Sequence, residues 1–221
     1  MKQPRAIVAC EKSGTIRDAL ENTGMVDSWS CDIQPTTSEQ TIVAKKHYQC
    51  DVLEVLDYGW DLLIAHPPCT YLTRRSGYWV KKRNLQRERE LGINFFMEFV
   101  NSDIRYKAIE NPIGIMSTIY RKPDQIIQPY CFGDPESKAT CLWLFNLPNL
   151  IYSKQDTLWE KKTSVEPNFR IWPNGKKTYF VDNVSGKNRA EIRSRTFPGI
   201  ASAMAEQWTE HILNNNKQQK Q

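Results

Sequence analysis

Asp61-Leu62-Leu63-Ile64-Ala65-His66-Pro67-Pro68-Cys69-Thr70 opens on an acid, runs through four apolar residues and stops at two prolines. A short apolar run bounded in this way reads as a buried strand. Each proline fixes φ and removes a backbone donor, so the strand ends there and Cys69 follows on a stiff backbone. A rigidly held thiol suits a nucleophile, because misplacing an attacking atom is costly. Taken alone, Pro-Pro-Cys reads first as a small buried hydrophobe that is chemically inert. Its neighbours decide between the two.

Upstream, Ala6-Ile7-Val8-Ala9-Cys10 reads as another buried strand, followed by a helix from Thr15 to Asn22 that Gly24 ends. Trp29-Ser30-Cys31-Asp32-Ile33 reads as a second strand, and a short strand ends near Cys50-Asp51. Downstream, a helical pattern runs from about Lys82 to Asn101, and Tyr106-Lys107-Ala108-Ile109 is a strand that ends at Glu110-Asn111-Pro112. Strands alternating with helices predict an α/β fold with a mostly parallel sheet. Ligands of such sheets bind beyond the carboxyl ends of the strands. Asp32, Asp51, Cys69 and Glu110 all fall at or just past predicted strand ends. Any one of them reads as an ordinary loop residue; four at one edge read as a site.

The second half changes character. From Pro112 to about Lys187 it is rich in Pro, Asn, Lys and aromatic residues, with short strand-like runs such as Cys141-Leu142-Trp143-Leu144-Phe145. Ile200 to Ile212 returns to a helical pattern, and 214–221 is a polar tail. The expected organisation is one α/β domain made of 1–112 and 191–213, with 113–190 as a small, irregular insert.

The chain has 221 residues, 40% of them hydrophobic and 11% aromatic, which suffices for one substantial core and excludes a disordered chain. A net charge of +5 is compatible with a polyanionic partner without requiring one. The six cysteines form no CxxC pair, so neither a zinc site nor a disulfide framework is expected. No run has the form of a signal peptide or the length of a membrane span, so a cytoplasmic protein with reduced thiols is expected.

Four stretches carry the chemistry. Cys69 is the candidate nucleophile, and Glu110 could protonate or hydrogen-bond a substrate ring nitrogen. The turn Cys10-Glu11-Lys12-Ser13-Gly14 opens a helix, the place where a nucleotide-like cofactor approaches the backbone. Asp32 lies at a distance past that turn typical of a ribose-binding acid, and Asp51 could bind an adenine amino group.

In these motifs the chain resembles the cytosine-C5 DNA methyltransferase family, most closely its compact phage and prophage members. Pro67-Pro68-Cys69 is similar to the family's catalytic Pro-Cys loop, and Glu110-Asn111-Pro112 to its Glu-Asn-Val motif. Glu11 to Gly24 lies over its first glycine-rich motif without a gap, and Phe197 to Ala205 is similar to its last. The resemblance covers 5–112 well and 190–212 in part. It implies a Rossmann-like S-adenosylmethionine-dependent methyltransferase fold, with Cys10, Glu11, Ser13, Gly14, Asp32, Asp51 and Pro67 at the cofactor. It also implies that Cys69 attacks C6 of a cytosine in DNA while Glu110 protonates N3. Arg193 or Arg195 is expected to assist near the base or a phosphate, Arg195 being the catalytic candidate.

The sequence departs from that pattern in three places. The family's Phe-Ala-Gly-x-Gly-Gly becomes Cys10-Glu11-Lys12-Ser13-Gly14-Thr15, with two glycines lost and the charged pair Glu11-Lys12 gained, so that backbone and cofactor meet less closely. His66 stands where the family has glycine, and either tunes the thiol or packs at the strand end. The Gln-x-Arg-x-Arg motif is missing, and Gln125, Gln128, Lys138 and Thr140 are the polar candidates in its place. Within 113–190, basic residues interleave with Trp143, Trp159, Phe169, Trp172, Tyr179 and Phe180, which suits phosphate contact and base stacking or a small aromatic core. Two alternatives remain: pyrimidine modification of a nucleotide or RNA or with another one-carbon donor, and a catalytically degenerate nucleic-acid-binding protein.

Overall fold

A computed structural model describes residues 3–74, 76–152, 164–179 and 196–218. Its centre is a seven-stranded sheet: β1 (Arg5–Ala9), β2 (Asp27–Cys31), β3 (His47–Tyr48), β4 (Leu62–Ala65), β5 (Tyr106–Pro112), β6 (Gln125–Ile127) and β7 (Thr140–Phe145). The spatial order is β3-β2-β1-β4-β5-β7-β6. The first five strands in that order run parallel, whereas β7 pairs antiparallel with both β5 and β6. The helices are α1 (Thr15–Asn22), α2 (Glu39–Ala44), α3 (Ser76–Lys82), α4 (Gln86–Asn101), α5 (Met116–Ile119) and α6 (Pro198–Gln218). This is a Rossmann-like α/β fold.

The strands are apolar on both faces because both are covered. Ala6, Val8, Leu62, Ile64, Ala108 and Leu142 point to one side, where α1 and the α6 residues Ile200, Met204, Trp208 and Ile212 close over them. Ile7, Ala9, Leu63, Ala65, Ile109 and Trp143 point to the other, against Val52, Trp60 and the α4 residues Phe96 and Phe99. The alternation is the two-residue period of extended backbone, read out as two cores.

Three findings differ from the sequence reading. The expected boundary at 112 falls inside the sheet, because β7 pairs with β5 from Lys107↔Phe145 to Pro112↔Thr140 and β6 completes the edge. Only the hairpin of β8 (Phe169–Ile171) and β9 (Lys177–Tyr179) forms a separate sheet among the described residues. The helix expected from about Lys82 begins at Gln86, and a separate helix, α3, precedes it and ends at Lys82. Asn84 adopts φ 54, and the amides of Asn84 and Leu85 bond back to the carbonyls of Lys81 and Val80, a left-handed stop at the end of α3. Finally β1 ends one residue early, because Cys10 turns to φ 59, a conformation that L-residues seldom adopt.

Trp208 measures how much α6 matters: it is fully buried, and its indole donates to the Pro148 carbonyl at 3.0 Å. Trp208→Ala should cost about 3–5 kcal/mol of unfolding free energy. Urea denaturation followed by circular dichroism reads this loss; a change below about 1 kcal/mol would contradict α6 as part of the core.

Candidate active site

The carboxyl ends of β1, β2, β3, β4 and β5 lie along one edge, because these strands are parallel. The chain leaves β4 through His66, buried Pro67, exposed Pro68 and half-buried Cys69. It leaves β5, the neighbouring strand, through Glu110 and Asn111.

The two exits are tied together residue by residue. His66 Nδ1 lies 3.0 Å from Glu110 Oε2, and the two side chains are only 13% and 18% exposed. One residue on, the buried Asn111 side chain donates from Nδ2 to the Pro67 carbonyl at 2.9 Å. Beyond Cys69, the Ile115 amide donates to the Leu72 carbonyl at 2.8 Å, and Thr73 forms a bridge with Gly114. A Cβ on Gly114 would stand 2.1 Å from the Leu72 oxygen, so only glycine permits that approach. The Cys69 carbonyl itself accepts from the Leu72 and Thr73 amides, closing a turn. Arg89 of α4 braces the same turn from behind, donating from Nε to the Tyr71 carbonyl at 3.1 Å. The loop is thus fixed by hydrogen bonds on both sides of the thiol.

Burial by itself would raise the Glu110 carboxyl. The His66 hydrogen bond, the charges of Lys138 and His66 and a hydrogen bond from Thr140 outweigh it and hold the group below its ordinary value. Lys138 and Thr140, two of the four candidates for the missing motif, therefore do reach Glu110. Gln125 does not: it exchanges hydrogen bonds with the backbone of Leu150.

The first turn is built differently from the expectation. The buried Glu11 carboxylate accepts from the Ile16 amide at 2.7 Å and the Arg17 amide at 3.1 Å. It caps α1 from within instead of facing the edge; burial raises its pKa, which the charge of His66 and these two amides partly offset. Gly14, at φ 71, makes room for α2: a Cβ there would sit 2.5 Å from Ser38 Cβ and 2.9 Å from Thr41 Oγ1. Asp18 of α1 completes that contact by accepting from Thr41 Oγ1 at 2.7 Å and from Ser38 Oγ. Ser13 is used locally, its Oγ accepting from the Thr15 amide and hydroxyl.

The remaining acids do gather. Cys10, half-buried Asp32 and exposed Asp51 lie at the ends of the first three strands. Asp32 accepts from the Gln34 amide at 2.8 Å, and Asp51 from the Leu53 amide at 3.1 Å. Burial, followed by the charges of Asp32 and Asp51, pushes the Cys10 thiol up to about 12. Arg193 and Arg195 lie outside the described residues, as do Trp159 and Phe180. Among the described residues no group of His, Cys, Asp and Glu could hold a metal ion, and no helix is long and apolar enough to cross a membrane.

Sequence reasoning did not find Asn111 as a tie to Pro67, or the His66–Glu110 contact. Each joins residues 44 positions apart, which no local pattern reveals. The juxtaposition of Glu110 with the Cys69 loop was the available signal.

No protein-family model and no curated protein matches the chain. Among solved structures, it is similar to a protein described as a DNA modification methyltransferase encoded within a prophage (E. coli). That likeness has 17% identity and a TM-score of 0.44, and covers 64% of this chain and 46% of the other. It is also similar to a methyltransferase of Entamoeba histolytica, at 15% identity and a TM-score of 0.48, covering 76% of this chain and 59% of that one. The chain spans less than two thirds of the length of either.

Two measurements probe the site. Asn111→Leu leaves the buried Pro67 carbonyl without its donor and should destabilise the protein by about 1–3 kcal/mol, read by denaturant unfolding. Iodoacetamide at pH 8, followed by peptide mass spectrometry, should leave Cys10 unmodified in the folded protein, since a thiol pushed up to about 12 holds almost no thiolate there.

Proposed function

We propose that the chain is a methyltransferase that transfers the methyl group of S-adenosylmethionine to C5 of cytosine in DNA, through a covalent bond to Cys69. The observation that carries this reading is the pairing of a half-buried thiol and a nearly buried carboxylate on adjacent strand exits, joined by the His66–Glu110 and Asn111–Pro67 contacts.

C5 of cytosine is a poor nucleophile until C6 is saturated, so covalent catalysis suits this substrate. The Cys69 thiolate would form an S–C6 bond while the ring's electrons shift toward N3. Glu110 would lend N3 a proton, and C5 would then carry the electron pair that takes the methyl group. Loss of the C5 proton to a base and departure of Cys69 would restore the ring and the thiolate. A base in duplex DNA has to leave the stack to reach such a site.

The edge formed by β1, β2 and β3 fits the cofactor. Glu11 already occupies the amides that open α1, the groups that would otherwise bind a phosphate. An anionic pyrophosphate is disfavoured there, whereas a sulfonium cation is not. Asp32 would hold ribose hydroxyls, Asp51 the adenine amino group, and Pro67 would line the path to the thiol. When bound, the cofactor supplies an electrophilic methyl group.

Two surfaces support a polynucleotide partner. No acidic residue lies between Asp61 and Glu88, and this stretch carries Arg74, Lys81, Lys82, Arg83 and Arg87. On α3, directly after the Cys69 loop, Tyr78 and Trp79 are 63% and 48% exposed. The β8–β9 hairpin exposes Phe169 and Trp172 beside Arg170 and Lys177. Basic residues beside exposed rings suit phosphates and unstacked bases.

The test is a DNA oligonucleotide containing 5-fluorocytosine, incubated with S-adenosylmethionine. A denaturation-resistant adduct on Cys69 is expected, absent in Cys69→Ser, and Glu110→Gln should lower turnover on ordinary DNA by about 10²–10⁴-fold. Cofactor binding by calorimetry without any adduct or 5-methylcytosine would sink the proposal.

A further inference from the structure

His66 is not consumed by the scheme above, yet it bears on both the nearly buried Glu110 and the buried Glu11. Its ring contacts Glu110 directly, and its charge bears on Glu11. We propose that His66 is a positioning residue for Glu110, fixing which carboxyl oxygen carries the proton lent to the pyrimidine ring. The proposal rests on the cytosine reading of the site.

An ionised carboxylate only accepts, so the hydrogen in the 3.0 Å contact belongs to His66 Nδ1, and Glu110 Oε2 accepts it. The other ring nitrogen supports this tautomer. Among the described residues the buried His66 Nε2 meets no hydrogen-bond partner, so no acceptor there calls for a proton. Glu110 already accepts at Oε2, so the acid proton, drawn from water before the ring is attacked, goes to Oε1. When the ring nitrogen is protonated, the Oε1–H bond breaks and an N3–H bond forms. The bonding pair stays on Oε1, and the carboxylate so formed is held by the Nδ1–H donor. The reverse transfer restores the acid when Cys69 departs.

The other groups around the pair do not make this distinction. Lys138 and Thr140 bear on Glu110 from the β7 side, and buried Cys141 feels its charge. Glu11 and Asp18 stand on the α1 side. Lys138 bears on the carboxylate as a charge and Thr140 as a hydrogen-bond donor, whereas the His66 contact sets a ring nitrogen 3.0 Å from one named oxygen, Oε2.

The test compares His66→Leu, which keeps bulk and loses the donor, with His66→Asn, whose amide nitrogen falls near the place of Nδ1. Turnover in His66→Leu should drop about 10- to 100-fold, the worth of a hydrogen bond to a charged group. KM for cofactor and DNA should stay within about twofold, and His66→Asn should recover most of the loss. Equal losses in both variants, or a loss confined to KM, would overturn the proposal. Imidazole 15N NMR of the wild-type protein, with His66 assigned through the His66→Asn spectrum, should show a proton on Nδ1. A ring protonated at Nε2 alone would refute the proposal whatever the enzyme makes. The tautomer is read without substrate, so a wild-type protein that yields no methylated cytosine defeats the function above by a separate route.

Discussion

The structure depends on the lacing of two strand exits. β4 and β5 are parallel neighbours, and parallel strands deliver their ends to the same edge. Two such ends would normally diverge into independent loops. Here consecutive residues of one exit bind consecutive residues of the other: His66 to Glu110, Pro67 to Asn111, then Leu72 and Thr73 to Ile115 and Gly114. The thiol sits inside this lacing and takes its position from it. The two prolines prevent the exit from continuing the sheet, and the glycine at 114 lets the backbones close.

The rest of the molecule supports that seam. The two cores hold β4 and β5 from both faces, with Leu62 and Ile64 against the α6 side and Leu63 and Ala65 against the α4 side. Antiparallel β7 lies along the outer side of β5, so Glu110 pairs across to Leu142 and receives Thr140 and Lys138 from that direction. On the far side, Glu11 fastens the start of α1 and Gly14 fastens α1 to α2. The first turn is therefore held rigid by the protein's own groups.

Much of this was legible in the sequence where the signal is local. The bounds of α1 and the runs forming β4 and β5 follow from apolar patterning and from the residues that stop it. The placing of Asp32, Asp51, Cys69 and Glu110 on one edge then follows from parallel strands. What was not legible depends on partners distant in the chain. β6 and β7 looked like fragments of an insert because their pairing with β5 returns across an irregular stretch. That Glu11 binds the α1 amides and Gly14 meets α2 was not legible either, because these partners are known only after folding. The break at Asn84 hid inside a continuous helical pattern, since a single residue in the left-handed region suffices to end a helix.

The lacing has a further property. At Pro67, Leu72 and Cys69 it is the main-chain carbonyl that accepts, and at Ile115 the main-chain amide that donates. Such contacts are indifferent to the side chain. Exposed Thr70 and Arg74 can therefore be exchanged without loosening the frame that holds the thiol. The residues that set the course of this short loop and those that form its outer surface are thus separate, so a lineage could change the surface while keeping the frame.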